Sequence, residues 1–270
     1  MDKPLNATPD PRLENQVTGN GAESAATSPL FAGVGEVTGE HASDGLRLPR
    51  LQIAYGVGEL AKTFSPGDLV FGGDNLLVHK AEMLELVIFS ATEYWKEYLT
   101  DELYKSGARP RTYVTEAEVN AAGGITTWPP KGTEGPKPDF SMAIDLRCLI
   151  KIPKDVVCGL FGLELDGAEY GAAVWTADKT AYKRVAPYLK MCRQFSLRKA
   201  GLIGGVFTLH TTIESRNGRT TPVPNLKFLR HNTPAFIEVV CALLGVPVPE
   251  GVATKELSAA TTTETKALSA

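Results

Sequence analysis

Apolar positions in this chain fall in short alternating runs through its middle and thin out at both ends. Arg50–Tyr55, Asp68–Phe71 and Asn75–Lys80 read as brief strands divided by Gly, Pro, Asp and Asn. Leu84–Ala91 (LELVIFSA) suits a buried strand, and Thr92–Lys105 is predicted as a short helix. A Pro- and Gly-rich loop of 17 residues follows at Gly123–Asp139; loops of that length inside a domain are uncommon and often functional. Strands are predicted again over Phe140–Ile152, Cys158–Asp166 and Glu169–Thr176, the last two joined by a tight turn at Asp166-Gly167. Asp178 is placed to cap a helix through Gln194, with Ala181, Val185, Tyr188, Leu189 and Cys192 at helical spacing. Pro187 is expected to kink that helix or move its start. Gly205–Glu214 alternates as a strand, turns at Asn217-Gly218 and returns over Arg219–Arg230. Thr233-Pro234 opens a last helix, which Gly245 closes.

These elements predict a β-rich α+β protein, a small barrel or sandwich with inserted loops, a basic helix and a C-terminal helix. No alternation of strand and helix suggests a Rossmann sheet. Residues 1–47 carry few large apolar side chains and cannot offset the entropy of ordering, so they are expected to form a disordered arm. Seven acids and two bases give residues 1–44 a net charge of -5. Residues 250–270 are expected to be a second disordered tail, leaving 48–249 as one domain. Hydrophobic residues make up 43% and charged residues 22%, as in soluble proteins, and no run reaches the ~18 apolar residues of a membrane span. The polar N-terminus lacks a secretory pattern, which points to the cytoplasm. Cys148, Cys158, Cys192 and Cys241 form no CxxC pair, which suits reduced thiols, mostly in apolar runs.

Charge distribution says more than the total of -3. Between Lys179 and Arg230, eleven basic residues face the single acid Glu214, a net +10 in 52 residues. Like charges gathered on one face repel, and a polyanion relieves that repulsion while releasing counterions. Lys179, Lys183, Arg184, Lys190 and Arg193 would line a phosphate track on the helix, with Lys227 on the last strand. Arg216 and Arg219 flank the Asn-Gly turn and would clamp phosphates, guanidinium being matched to phosphate oxygens. Tyr182 or Trp175 would offer a face for stacking bases. The competing reading is a basic face that pairs with the acidic 82–118 region of the same domain.

Catalytic patterns are thin. Gly56-Val57-Gly58 lacks the rest of a dinucleotide fingerprint, and no phosphate-binding GxxxxGK[ST] occurs. Glu164 and Asp166 share a strand face, as a metal nuclease could use, but Asp is expected at a hairpin turn for backbone reasons. No cofactor, catalytic residue or metal ligand is therefore assigned.

The segments LPRLQIAYG, PGDLVFGG and EYGAAVWTADKTAYKRVAPYL, followed by a strand pair and a closing helix, resemble a diverse set of early, non-virion bacteriophage proteins. These in turn resemble single-stranded DNA-binding proteins built on an OB-fold. The resemblance runs from Leu48 to about Gly245 and implies an OB-like barrel that coats single-stranded DNA in replication or recombination, in the host cytoplasm. The C-terminus departs from that pattern, with three acids and no aromatic residue in place of an acidic, aromatic-tipped recruiting tail. Single-stranded DNA is the expected partner; homo-oligomerisation and contacts with replication or recombination proteins stay open, and no membrane partner is expected. A phage structural or assembly protein is the second reading, and a metal-dependent nucleic-acid enzyme the third.

Overall fold

A computed structural model describes residues 48–100, 102–103, 106–156, 162–216 and 218–252. The arm 1–47, residues 253–270 of the tail, Cys158 with the start of its predicted strand, and Asn217 lie outside the described residues. Three short strands, β1 (Leu51–Ile53), β2 (Leu69–Phe71) and β3 (Asn75–Val78), form an antiparallel sheet in sequential order. A seven-stranded antiparallel sheet is built from β4 (Leu84–Glu97), β5 (Thr112–Tyr113), β6 (Phe140–Lys151), β7 (Gly162–Leu165), β8 (Ala168–Asp178), β9 (Gly205–Arg216) and β10 (Arg219–His231). Its order is β10-β9-β4-β6-β8-β7, with β5 paired to the far end of β4. The α-helices α1 (Glu116–Ala121), α2 (Lys179–Gln194) and α3 (Pro234–Leu244) join these sheets.

The β-rich class and most strands agree with the sequence pattern, but where a helix is expected over Thr92–Lys105, Thr92–Glu97 form strand instead. β4 continues through Glu97, pairing with β6 from Leu86↔Ile150 to Glu97↔Phe140. The reason is tertiary. Twelve residues of β6 offer a full ladder to Thr92–Glu97, whose Thr, Tyr and Trp favour a pleated surface. A bulge between Ile88 and Ser90 breaks the apolar alternation at the point where the sequence pattern changes character.

Pleating sorts the side chains into two cores. On one face Leu84, Leu86, Ile88, Leu146, Cys148, Trp175, Phe207 and Leu209 pack against the small sheet and against α2. On the other, Val87, Leu149, Ala172, Val174 and Val206 pack against Phe236, Ile237, Val240 and Cys241 of α3. Thr233 caps α3 by accepting from the Phe236 N–H, Pro234 opens it, and Gly245 ends it in the left-handed region (φ 66°), as the sequence signals require. Asp166 (φ 50°) and Gly167 (φ 70°) form the β7–β8 turn, so Asp166 is held by its backbone role.

The expected OB-like barrel does not close. β10 and β7 are the ends of the large sheet and do not pair with one another. Only single links tie the small sheet to the large one. Arg50 bridges Val174 of β8, and at the opposite side Thr211 of β9 donates its hydroxyl to the Gly67 carbonyl while accepting at its own carbonyl from Ala81 N–H. Two open sheets with a shared apolar interior result. Past Pro249, Glu250–Val252 forms a 3-10 turn whose Val252 is buried in the second core.

Candidate nucleic-acid interface

The geometry of the basic segment starts from α2. Ala181, Val185, Ala186, Leu189 and Cys192 recur at three- and four-residue intervals and are buried, so the helix has one apolar stripe and one solvent face. It runs unbroken through Pro187, which sits on the exposed side, where water can satisfy the carbonyl that the missing N–H leaves free. Asp178 occupies the N-cap position but its carboxylate makes no cap bond; it accepts instead from Lys96 Nζ at 3.1 Å. The chain turns from β8 into α2 at Lys179 (φ 51°), whose ammonium lies 4.3 Å from the centre of the Tyr98 ring.

α2 lies along β10 in the same sense. Arg184 donates to Asn225 Oδ1 (3.4 Å), and one turn later Tyr188 accepts at its hydroxyl from the Phe228 N–H (2.7 Å). That second bond satisfies a backbone donor of β10, which has no strand beyond it among the described residues. Lys227 is exposed at that edge strand, on the sheet face away from α2, because Leu226 and Phe228 on either side of it pack into the core under α2.

Part of the positive charge is neutralised inside the fold, along the line of the competing reading. Glu93, projecting from β4 beneath α2, takes Lys190 Nζ on both oxygens (2.9 and 3.0 Å) and the Tyr182 hydroxyl (2.9 Å). Arg184 forms an ion pair with Glu214, and Arg230 with Glu85 at 3.4 Å. Lys183, Arg193, Arg198, Lys199 and Lys227 are exposed and make no ion pair among the described residues. Arg216 and Arg219 are register partners at the end of the β9–β10 ladder, flanking Gly218 (φ 73°), so the hairpin places their Cα atoms opposite one another. β4 pairs with β9 only over Val206–Leu209, and the tip of the hairpin projects beyond that ladder.

The two expected stacking residues need correction. Trp175 is 2% exposed and belongs to the core under α2, because its odd position in β8 points to the shared interior with Ala173 and Ala177. It has no free face. Tyr182 is half-buried, packed against the same core, and its hydroxyl is committed to Glu93. The aromatic ring that is open beside the unpaired cations is Phe195, 75% exposed at the C-terminal end of α2 next to Met191. Sequence spacing hid it: Phe195 follows Cys192 by three residues, as another buried position would, but the helix ends there. A second ring, Trp128, is 69% exposed on the long loop, whose ends are pinned where Asp139 and Phe140 N–H both donate to the Ile125 carbonyl (3.1 Å each).

Burial, and then Glu93, push the Tyr182 phenol up to about 12. A phenol that ionises later in the folded chain than in the unfolded one contributes stability below the ordinary tyrosine range. That contribution is lost as pH rises from about 10 towards about 12. Tyr182→Phe is therefore expected to flatten the fall of melting temperature between those limits; an unchanged alkaline slope would place the cause elsewhere. Burial also pushes the Cys148 thiol up to about 12, so a thiol reagent should leave it untouched in the native fold.

No three His, Cys, Asp or Glu side chains converge as metal ligands among the described residues. No helix among them is long and apolar enough to cross a membrane. No family model matches the chain, no curated protein matches its sequence, and no solved structure matches its fold.

Proposed function

We propose that the protein binds single-stranded nucleic acid, with DNA as the expected form, without catalysing a reaction on it. The observation that carries this reading is the set of exposed cations without acid partners among the described residues on α2 and just past its C-terminal end, where the ring of Phe195 is also exposed. Lys183 and Arg193 would contact phosphates from the solvent face of α2, and Lys227 from the far side of the β10 edge. Phe195 would stack a base, a contact of about 1–3 kcal/mol that tolerates any sequence. Lys190 and Arg184 are held by Glu93 and Glu214, so they would join the track only by exchanging a carboxylate for a phosphate. Lys179 would join it at the β8–α2 corner, and Arg216 with Arg219 at the hairpin tip. An open sheet with a helix laid over its edge would serve in place of the closed OB-like barrel that the resemblance implies.

The test is fluorescence anisotropy of a labelled poly-dT oligonucleotide with the full chain, at low and moderate salt and with duplex as competitor. Salt-sensitive binding that duplex fails to compete supports the reading. An absence of binding at low salt would mean that the Glu93 and Glu214 pairings are the purpose of the charge. The assembly reading would then take its place.

A further inference from the structure

Among the described residues, the face of the large sheet opposite α2 is only half covered. α3 packs on the end that carries Val87, Leu149 and Ala172. Beyond it, ladder pairing puts Ser90, Arg147, Val174 and Arg50 side by side across four strands, β4, β6, β8 and the start of β1. The next rows are Thr92–Asp145–Thr176 and Tyr94–Ala143–Asp178. Cross-strand partners share a face, so these side chains form one polar platform. Thr92 is exposed, and Ser90, Tyr94, Asp145, Arg147 and Thr176 are partly exposed.

Three features of this platform suit a ligand. Arg50 and Arg147 make no ion pair or side-chain hydrogen bond among the described residues, although Asp145 is a near neighbour. Two strand spacings separate their backbones, roughly 10 Å, within which two guanidiniums can converge on one phosphate. Tyr94 stands beside Ala143, which has no bulk to hold it upright. Its hydroxyl reaches Asp145 Oδ1 on the neighbouring strand (3.0 Å), and the same oxygen accepts from Thr176 Oγ1 (2.6 Å). The Tyr94 ring is thereby tethered across the platform by its tip. Lastly, β1 and β8 part after their single bridge, opening a cleft of about 400 Å³ lined by Arg50, Gln52, Tyr55, Lys96, Thr176 and Asp178 among others. That is within the range of small-ligand pockets, and it combines an aromatic ring with a few polar groups.

We infer that this platform and cleft are a nucleotide subsite, in which Tyr94 and Tyr55 take a base and Arg50 with Arg147 take its phosphate. The inference rests on the single-strand reading above and extends the path of the strand. Lys179 and Tyr98 stand at the β8–α2 corner, between the platform and the solvent face of α2. A strand leaving α2 over that corner arrives at Lys96 and Asp178, at the rim of the cleft. The platform is predominantly a surface for one stacked unit, while α2 supplies the longer run of phosphate contacts.

The experiment uses the full chain with a dT oligonucleotide carrying 5-iododeoxyuridine, cross-linked by light and mapped by mass spectrometry. Anisotropy of Arg50→Ala/Arg147→Ala is measured alongside it, with Arg147→Gln as a milder variant should the double one not fold. The expected results are a cross-link to Tyr94 or Tyr55, about tenfold weaker binding of the double variant, and a salt slope shallower by about 0.7, the value of the one phosphate both arginines hold. For Arg147→Gln alone, which leaves Arg50 on the phosphate, binding weaker than that of the unaltered chain is expected, with a smaller change than in the double variant. Cross-links confined to Phe195 and Tyr182, with unchanged affinity, would overturn the subsite and leave the α2 interface standing. No binding by the unaltered chain would overturn both.

Discussion

Reversing three charges together, Lys183→Glu, Arg193→Glu and Lys227→Glu, is expected to abolish retention of poly-dT at moderate salt. None of the three forms an ion pair among the described residues, so none is needed to balance an acid in the fold. Every phosphate of a single strand that is no longer neutralised by a cation makes the salt slope shallower by about 0.7, so three should reduce it by about 2. The added carboxylates then repel what the ammonium and guanidinium groups attracted. Because the three side chains are exposed, the melting temperature should stay within the small range usual for surface changes. Lys190→Glu is the informative contrast. It would set a new carboxylate against Glu93, with the Tyr182 hydroxyl alongside, and so cost stability as well as binding. If the triple variant binds poly-dT as the unaltered chain does, α2 and β10 are not the interface.

How far the sequence revealed this arrangement depends on which force decided each element. The β9–β10 hairpin, the α3 caps and the Asp166-Gly167 turn were legible because they are local: backbone conformations that Asn-Gly, Thr-Pro and Gly residues favour regardless of what lies around them. The second half of β4 was not, since a Glu- and Lys-bearing stretch becomes strand only when β6 arrives to pair with it from some fifty residues away. The same distinction governs the candidate site. Charge density singled out Lys183, Arg193 and Lys227, and the structure leaves all three exposed. It could not show that Arg184 and Lys190 meet Glu214 and Glu93, because those carboxylates are 30 and 97 positions away. Trp175 and Phe195 were exchanged for a related reason. An aromatic in a β-run and one at the end of a helical run look alike until the face of the sheet and the last turn of the helix are fixed. The platform with Arg50 and Arg147 was out of reach, being a row across four strands with no sequence proximity.

Phe207→Ala is expected to have the largest effect on stability and to separate folding from binding. Phe207 is fully buried in β9, opposite Phe228 of β10 with ring centres 6.0 Å apart, and beside Leu86 of β4. Leu197, just past α2, reaches the same place. Gly205 leaves it room: a Cβ there would meet Leu197 at 2.8 Å and the Phe207 ring at 3.2 Å. Removing the ring opens a cavity at the meeting of three strands and the end of the basic helix. Phe→Ala changes in such sites cost about 3–5 kcal/mol. In a domain of this size each kcal/mol lowers the melting temperature by about 2–4 °C, so a fall of roughly 6–20 °C should be seen by circular dichroism. Phe195→Ala is the matched opposite. Its ring is exposed and supports no core, so the melting temperature should hold while poly-dT binding weakens by the value of one stacked base, about 1–3 kcal/mol. Below its own transition, the Phe207 variant should bind normally, since it keeps every exposed cation. If instead Phe195→Ala destabilises the fold and leaves binding unchanged, that ring is packing surface, and the interface must be sought on the sheet face with Arg50 and Arg147.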